Sequence, residues 1–154
     1  MAAFFLDSSA LVKRYTTETG SQWILSLVRP SAQNSLYVAR ITGAEVVAAL
    51  ARKRKGKRIS PPDAAKAINR FTRHFARRYL KVNISNILLE SAMLLADKHE
   101  LRGYDAVQLA AALEVEATRR LVGAPPLTLL SADADLNRAA QNEGLLVDNP
   151  AAHP

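Results

Sequence analysis

The sequence contains no cysteine. That excludes disulfide staples and zinc–thiolate sites and fits a reducing compartment. No apolar run approaches the roughly 20 residues that a membrane span needs. The opening Met1-Ala2-Ala3-Phe4-Phe5-Leu6 has no basic residue ahead of it and meets an acid at Asp7, too soon for a secretory leader. A cytoplasmic protein without membrane contact is expected. The phosphate-cradling patterns G-x-x-x-x-G-K-[ST] and G-x-G-x-x-G are missing, as is a G-x-S-x-G nucleophile elbow. The three histidines, His74, His99 and His153, show neither H-x-x-x-H nor H-E-x-x-H spacing, so the zinc-hydrolase patterns are absent too. There is no internal repeat and no low-complexity linker.

What remains is a chain of 154 residues, long enough for one domain with a sizeable core. The domain is expected over residues 1–150, with 151–154 as a short disordered tail. The formal charge is +7, an argument for a polyanionic partner rather than for a fold. It is clustered: Arg52, Lys53, Arg54 and Lys55 open one run that continues to Arg58, and Arg70, Arg73, His74, Arg77 and Arg78 form another group at helical spacing. The second group is either a phosphate track or a solvated face, and the first, beside Gly56, is expected to be a mobile loop that engages a polyanion or a protein partner.

Short apolar runs at 3–6, 36–38, 80–84, 127–130 and 145–147 read as strands. Between them lie helical stripes. Ser8 or Ser9 is placed to cap the first helix, Ser60 and Ser85 to cap later ones, and Pro30, Gly56 and Gly144 mark stops. This alternation predicts an α/β fold, a three-layer α/β/α sandwich around a central, mostly parallel sheet of four to five strands. Trp23, Ile24, Leu27 and Val28, with Val46, Val47 and Leu50, are either core or the lining of a groove for a partner helix.

The acids fall at informative places. In an open α/β sheet, ligands bind beyond the carboxyl ends of the strands, near a switch in strand order. Asp7 directly follows the first strand, and Ser131, Asp133 and Asp135 follow the 127–130 strand. They share a rim if those strands are parallel neighbours. Glu45 and Asp105 each open a helix among apolar neighbours. An acid in a first turn has a plain explanation in the helix dipole. Several acids brought together would repel, and a divalent cation with hard oxygen ligands would remove that penalty. Both readings stand on spacing alone.

Four segments resemble the motifs of PIN domains. Phe4-Phe5-Leu6-Asp7-Ser8-Ser9-Ala10-Leu11 resembles the opening strand and D-[ST]-[SN]-x-[LI] element. Arg40-Ile41-Thr42-Gly43-Ala44-Glu45-Val46 resembles the glutamate-led helix. Leu101 to Ala112 contains Asp105-Ala106 followed by alanines at the family spacing. Leu129-Leu130-Ser131-Ala132-Asp133 resembles the motif in which Ser or Thr precedes the acid by two. Within that family the small single-domain form is similar to the VapC toxins. The resemblance implies an endoribonuclease dependent on Mg²⁺ or Mn²⁺, active on an RNA substrate and restrained by a cognate VapB-like antitoxin, and a further apolar patch is expected to drive a homodimer. Asp7, Glu45, Asp105 and Asp133 would be the catalytic and metal-binding quartet. Ser8 and Ser131 would be helper hydroxyls, with Asp135 an auxiliary acid ranked below Asp133. Arg52, Lys53, Arg54, Lys55, Arg70, Arg73 and Arg77 are the candidate RNA contacts.

Two other classes compete. A non-catalytic RNA-binding module would use the basic faces and gain nothing from four acids. A phosphatase or receiver-like domain would phosphorylate Asp7, but Ser9 stands where a second aspartate is wanted.

Overall fold

A computed structural model describes all residues 1–154. Five strands form one sheet in the order β3-β2-β1-β4-β5, and every pairing is parallel. The strands are β1 (Ala3–Leu6), β2 (Ser35–Ala39), β3 (Leu80–Val82), β4 (Leu127–Leu130) and β5 (Leu146–Asp148). The chain winds outward from β1 through β2 to β3, then returns to β1's other side for β4 and β5. The reversal therefore lies between β1 and β4.

Helices cover both faces. On one side lie α1 (Ser8–Leu11, continued by a 3-10 turn to Arg14), α2 (Ser21–Val28), α3 (Thr42–Lys55) and α4 (Pro61–Arg77). On the other lie α5 (Asn86–His99), α6 (Gly103–Leu121) and α7 (Ala134–Asn142). Period-two alternation along the strands feeds two cores. Phe5, Leu127 and Leu129 pack with Leu88, Leu109 and Leu136, while Leu6, Val38 and Leu130 pack with Leu11, Val46, Leu50 and Phe71. This is the expected three-layer sandwich.

Ser60 and Ser85 cap α4 and α5 as the sequence predicts, each accepting from the backbone N–H three residues on. At α1 the cap is Asp7 rather than Ser8 or Ser9, since its Oδ1 reaches the Ala10 amide at 2.9 Å. α3 and α4 form an antiparallel hairpin, and Gly43 lets α3 approach closely. A Cβ there would stand 3.0 Å from Phe75 Cζ.

The carboxyl terminus differs from the disordered tail expected from Ala151. Pro150–Ala152 form a 3-10 turn with Pro150 buried. The His153 ring stacks on Trp23 at 4.0 Å and meets Asp148 at 2.8 Å. Gly20, at φ +87°, leaves room for this turn, because a Cβ there would lie 2.2 Å from the Pro150 carbonyl oxygen. The alanines and prolines of this segment carry no local signal for an aromatic seat that only the fold supplies.

The apolar residues around α2 and α3 resolve toward core. Ile24, Val28, Val46 and Leu50 are buried, and Trp23, Leu27 and Val47 pack against them.

Candidate active site

β1 and β4 pair with Leu6 opposite Leu130, so the next residues, Asp7 and Ser131, meet at the sheet's carboxyl edge where strand order reverses. The Ser131 hydroxyl donates to Asp7 Oδ2 at 2.7 Å. Ser9 Oγ and the Ala10 amide donate to Oδ1 at 2.7 and 2.9 Å. Ser9 in turn accepts from the Ala132 amide, and Ser131 accepts from the Asp133 amide. Asp7 is thus fixed by three donors and nearly inaccessible to solvent, at 3% exposure. Burial is the dominant influence on its acidity and raises its pKa from 3.8 to about 6, against the lowering effect of those donors. The negative charge of Asp105 adds to the rise, which puts the two acids within electrostatic reach of each other.

Glu45 comes from the first turn of α3. Ser8 Oγ donates to its Oε2 at 2.9 Å, and Gln108 Nε2 donates to its Oε1 at 2.9 Å. Gln108 Nε2 also lies 2.8 Å from Thr42 Oγ1, tying α6 to the start of α3 across the top of the sheet. The two expected helper hydroxyls therefore divide their work: Ser131 holds Asp7, joined there by Ser9, and Ser8 holds Glu45.

Asp105, in the first turn of α6, and Asp133, the cap of α7, share one cation. Arg102 donates from Nε to Asp105 at 3.1 Å and from Nη2 to Asp133 at 2.8 Å. Partial burial is the largest influence on Asp105 and raises its pKa. The charge of Asp133 raises it further, and Arg102 opposes both. Asp133 also caps α7 through Oδ1 and the Leu136 amide. Asp135 points outward to Arg138 at 3.0 Å and is mostly exposed. It contributes only a small further rise to Asp105.

The four acids thus gather at one rim, delivered by two strand ends and two helix starts. As the side chains lie, no three of them close on a single point tightly enough to grip an ion. The donor set is nonetheless all carboxylate and hydroxyl oxygen, the chemistry that suits Mg²⁺ or Mn²⁺. Mg²⁺ keeps several waters and is often held by only one or two carboxylates. Arg102 standing between Asp105 and Asp133 shows that this corner already requires positive charge. By donor chemistry, Asp7, Glu45, Asp105 and Asp133 fit such a cation.

Among the basic candidates, Arg52 lines a groove that begins at Ser8 and Glu45. Lys53 is paired with Glu18 and largely covered, so in this structure it is not free for phosphate. Arg54 and Lys55 are exposed at the far end of α3, and Arg70, Arg73 and Arg77 are exposed along α4. Sequence reasoning missed Ser9, Arg102 and Gln108. Arg102 and Gln108 lie three residues either side of Asp105 on α6, a spacing that does place them beside it.

A PIN-domain family model matches residues 4–142. Ribonuclease VapC45 and Ribonuclease VapC49 of two Mycobacterium tuberculosis strains are each 33% identical over 147 residues, covering 96% of this chain and 95% of the relative. The fold is similar to that of VapC20 of Mycobacterium tuberculosis, described as a sarcin-ricin loop cleaving toxin. There the TM-score is 0.61, the identity 14%, and the coverage 98% of this chain and 99% of that one. It is also similar to a toxin–antitoxin complex from Klebsiella pneumoniae, at TM-score 0.57, 20% identity, and 95% and 96% coverage. With a strand-end aspartate, a glutamate-led helix and two further acids on one rim, the chain belongs to the PIN-domain family, on its VapC branch.

Proposed function

We propose that this protein is a cytoplasmic endoribonuclease that hydrolyses RNA phosphodiesters with a Mg²⁺ or Mn²⁺ ion at the acidic rim, and that a cognate VapB-like antitoxin restrains it. The observation that supports this reading is that Asp7, held by Ser9 and Ser131, Glu45, held by Ser8 and Gln108, and Asp105 and Asp133, bridged by Arg102, line one rim at the β1–β4 switch. When bound, the ion lowers the pKa of a water and offsets charge on the scissile phosphate. Asp7 and Asp105 would ligate it, and Asp133 and Glu45 would do so through water or orient the attacking water. Glu45, held from both sides by Ser8 and Gln108, orients the attacking water. Ser9 and Ser131 keep Asp7 in one rotamer. Arg102, which bridges Asp105 and Asp133, would have to give way to such an ion. The products are a 5′-phosphate and a 3′-hydroxyl.

The solved complex from Klebsiella pneumoniae supports an antitoxin partner. The exposed Ile87, Met93 and Leu94 of α5 support a homodimer, which light scattering on the purified protein reads directly. The competing reading is a non-catalytic RNA binder that keeps the fold and uses only the exposed basic residues of α3 and α4. One experiment separates the two. The purified protein with Mn²⁺ should cleave single-stranded RNA, Asp7→Asn and Asp105→Asn should not, and EDTA should stop the wild type. Cleavage surviving in both variants would refute the assignment.

A further inference from the structure

Beside the acids lies a groove of ≈ 480 Å³ that the proposed chemistry leaves unused. Ser8 and Glu45 close one end and Arg52 the other. Its floor on α3 is made of small side chains, Ala44 and Ala48, and Tyr104 forms a wall. Glu45 and Arg52 are seven residues apart, two turns along one face of α3 and about 10 Å. That separation leaves room for a nucleoside between the carboxylate and the guanidinium. Arg52 engages no carboxylate, whereas its neighbour Lys53 is committed to Glu18 and Arg102 to the acids. Tyr104 directly precedes Asp105 and is 59% exposed. It also borders an apolar cleft with Ile41, Met93 and Val107. An aromatic ring standing proud of the surface at the lip of an anionic site is poorly explained by core packing. Aromatic faces stack on bases with little sequence preference, and arginine takes phosphate in a planar fork. The repulsive acids at one end and the cation at the other give the groove a polarity.

We propose that this groove is a nucleotide subsite in which Tyr104 stacks on an RNA base next to the scissile phosphate and Arg52 holds the following phosphate. The inference rests on the ribonuclease reading above. Tyr104 is then a positioning residue that selects bases for their stacking strength, and it takes no part in the chemical step.

The test uses the full chain with Mn²⁺ and one single-stranded oligoribonucleotide, intact or with a single abasic ribose placed in turn on either side of the cleavage position. Tyr104→Ala should raise KM about tenfold with kcat within about threefold, and Tyr104→Trp should restore KM. Fluorescence of the Tyr104→Trp variant should be quenched by RNA. One abasic position should cost the wild type the same factor and cost Tyr104→Ala nothing further. Arg52→Gln should raise KM and flatten its dependence on salt. Unchanged KM in Tyr104→Ala, or an abasic penalty that persists in that variant, overturns the subsite while leaving the nuclease standing. A change in oligomeric state with no change in KM would assign Tyr104 to a subunit interface and also overturn it. A wild type that fails to cleave the intact oligonucleotide removes the ribonuclease reading and the subsite with it.

Discussion

Replacing Asp7 by asparagine should make the metal-free protein more stable at neutral pH. Burial raises the Asp7 pKa from 3.8 to about 6. Below pH 3.8 the carboxyl is protonated whether the chain is folded or not, and its burial costs little. Between 3.8 and 6 the folded chain retains a proton that the unfolded chain has released, so stability falls as pH rises. Above 6 the full cost is present, about 3 kcal/mol for a shift of this size. Asparagine fills the same volume and keeps an acceptor for Ser9 and Ala10. Its amide meets Ser131 as a donor rather than an acceptor, so the Ser131 hydroxyl proton loses its partner, at about 1 kcal/mol. The net gain is about 2 kcal/mol at pH 7.5, or roughly 4–8 °C in Tm for a domain of this length. Urea unfolding in EDTA at pH 4 and pH 7.5 reads it directly. The variant should be the more stable at pH 7.5 and equal or slightly weaker at pH 4. Added Mn²⁺ should close the gap by stabilising the wild type alone. A variant no more stable at pH 7.5, or one with the same advantage at both pH values, would show that Asp7 is not a strained carboxylate.

Gln108→Leu removes the donor that Glu45 and Thr42 share. It should cost about 1–3 kcal/mol of stability and lower kcat while leaving KM near the wild-type value, by urea unfolding and initial rates. Arg102→Ala frees Asp105 and Asp133 of their shared guanidinium and should tighten Mn²⁺ binding several-fold by calorimetry. Weaker binding would make Arg102 a support for the site rather than a competitor at it. Gly20→Ala forces an ordinary residue to φ +87° and into the Pro150 carbonyl. It should cost at least about 1 kcal/mol and red-shift the emission of Trp23, the single tryptophan, as His153 leaves its ring.

The layered fold could be read from the chain because short apolar strands and capped amphipathic helices carry local signals. Ser60 and Ser85 are caps by chemistry alone. For Asp7 and Ser131 the sequence placed both at strand ends but could not say that β1 and β4 are neighbours, since register and strand order arise from packing 124 residues apart in sequence. Glu45 and Asp105 entered through family resemblance, and their helix-start positions were equally consistent with dipole stabilisation. Arg102, Gln108 and Tyr104 flank Asp105 within one helical turn. They passed unnoticed because an arginine, a glutamine and a tyrosine at a helix start are ordinary until a neighbouring helix and a groove give them something to do. The carboxyl-terminal turn escaped for the same reason, as its stability lies in Trp23 and Gly20, which are remote in sequence.

The first strand sits at the centre of the sheet, and its partner on the acidic side, β4, begins at Leu127. During synthesis, therefore, Asp7 emerges 124 residues ahead of Ser131 and must wait for it and for Asp133. Glu45 and Asp105 arrive on opposite layers in between. A growing chain holds no assembled acidic rim, and neither does a fragment cut short before β4. Any chemistry of this rim therefore begins only after β4 has been made and has paired with β1.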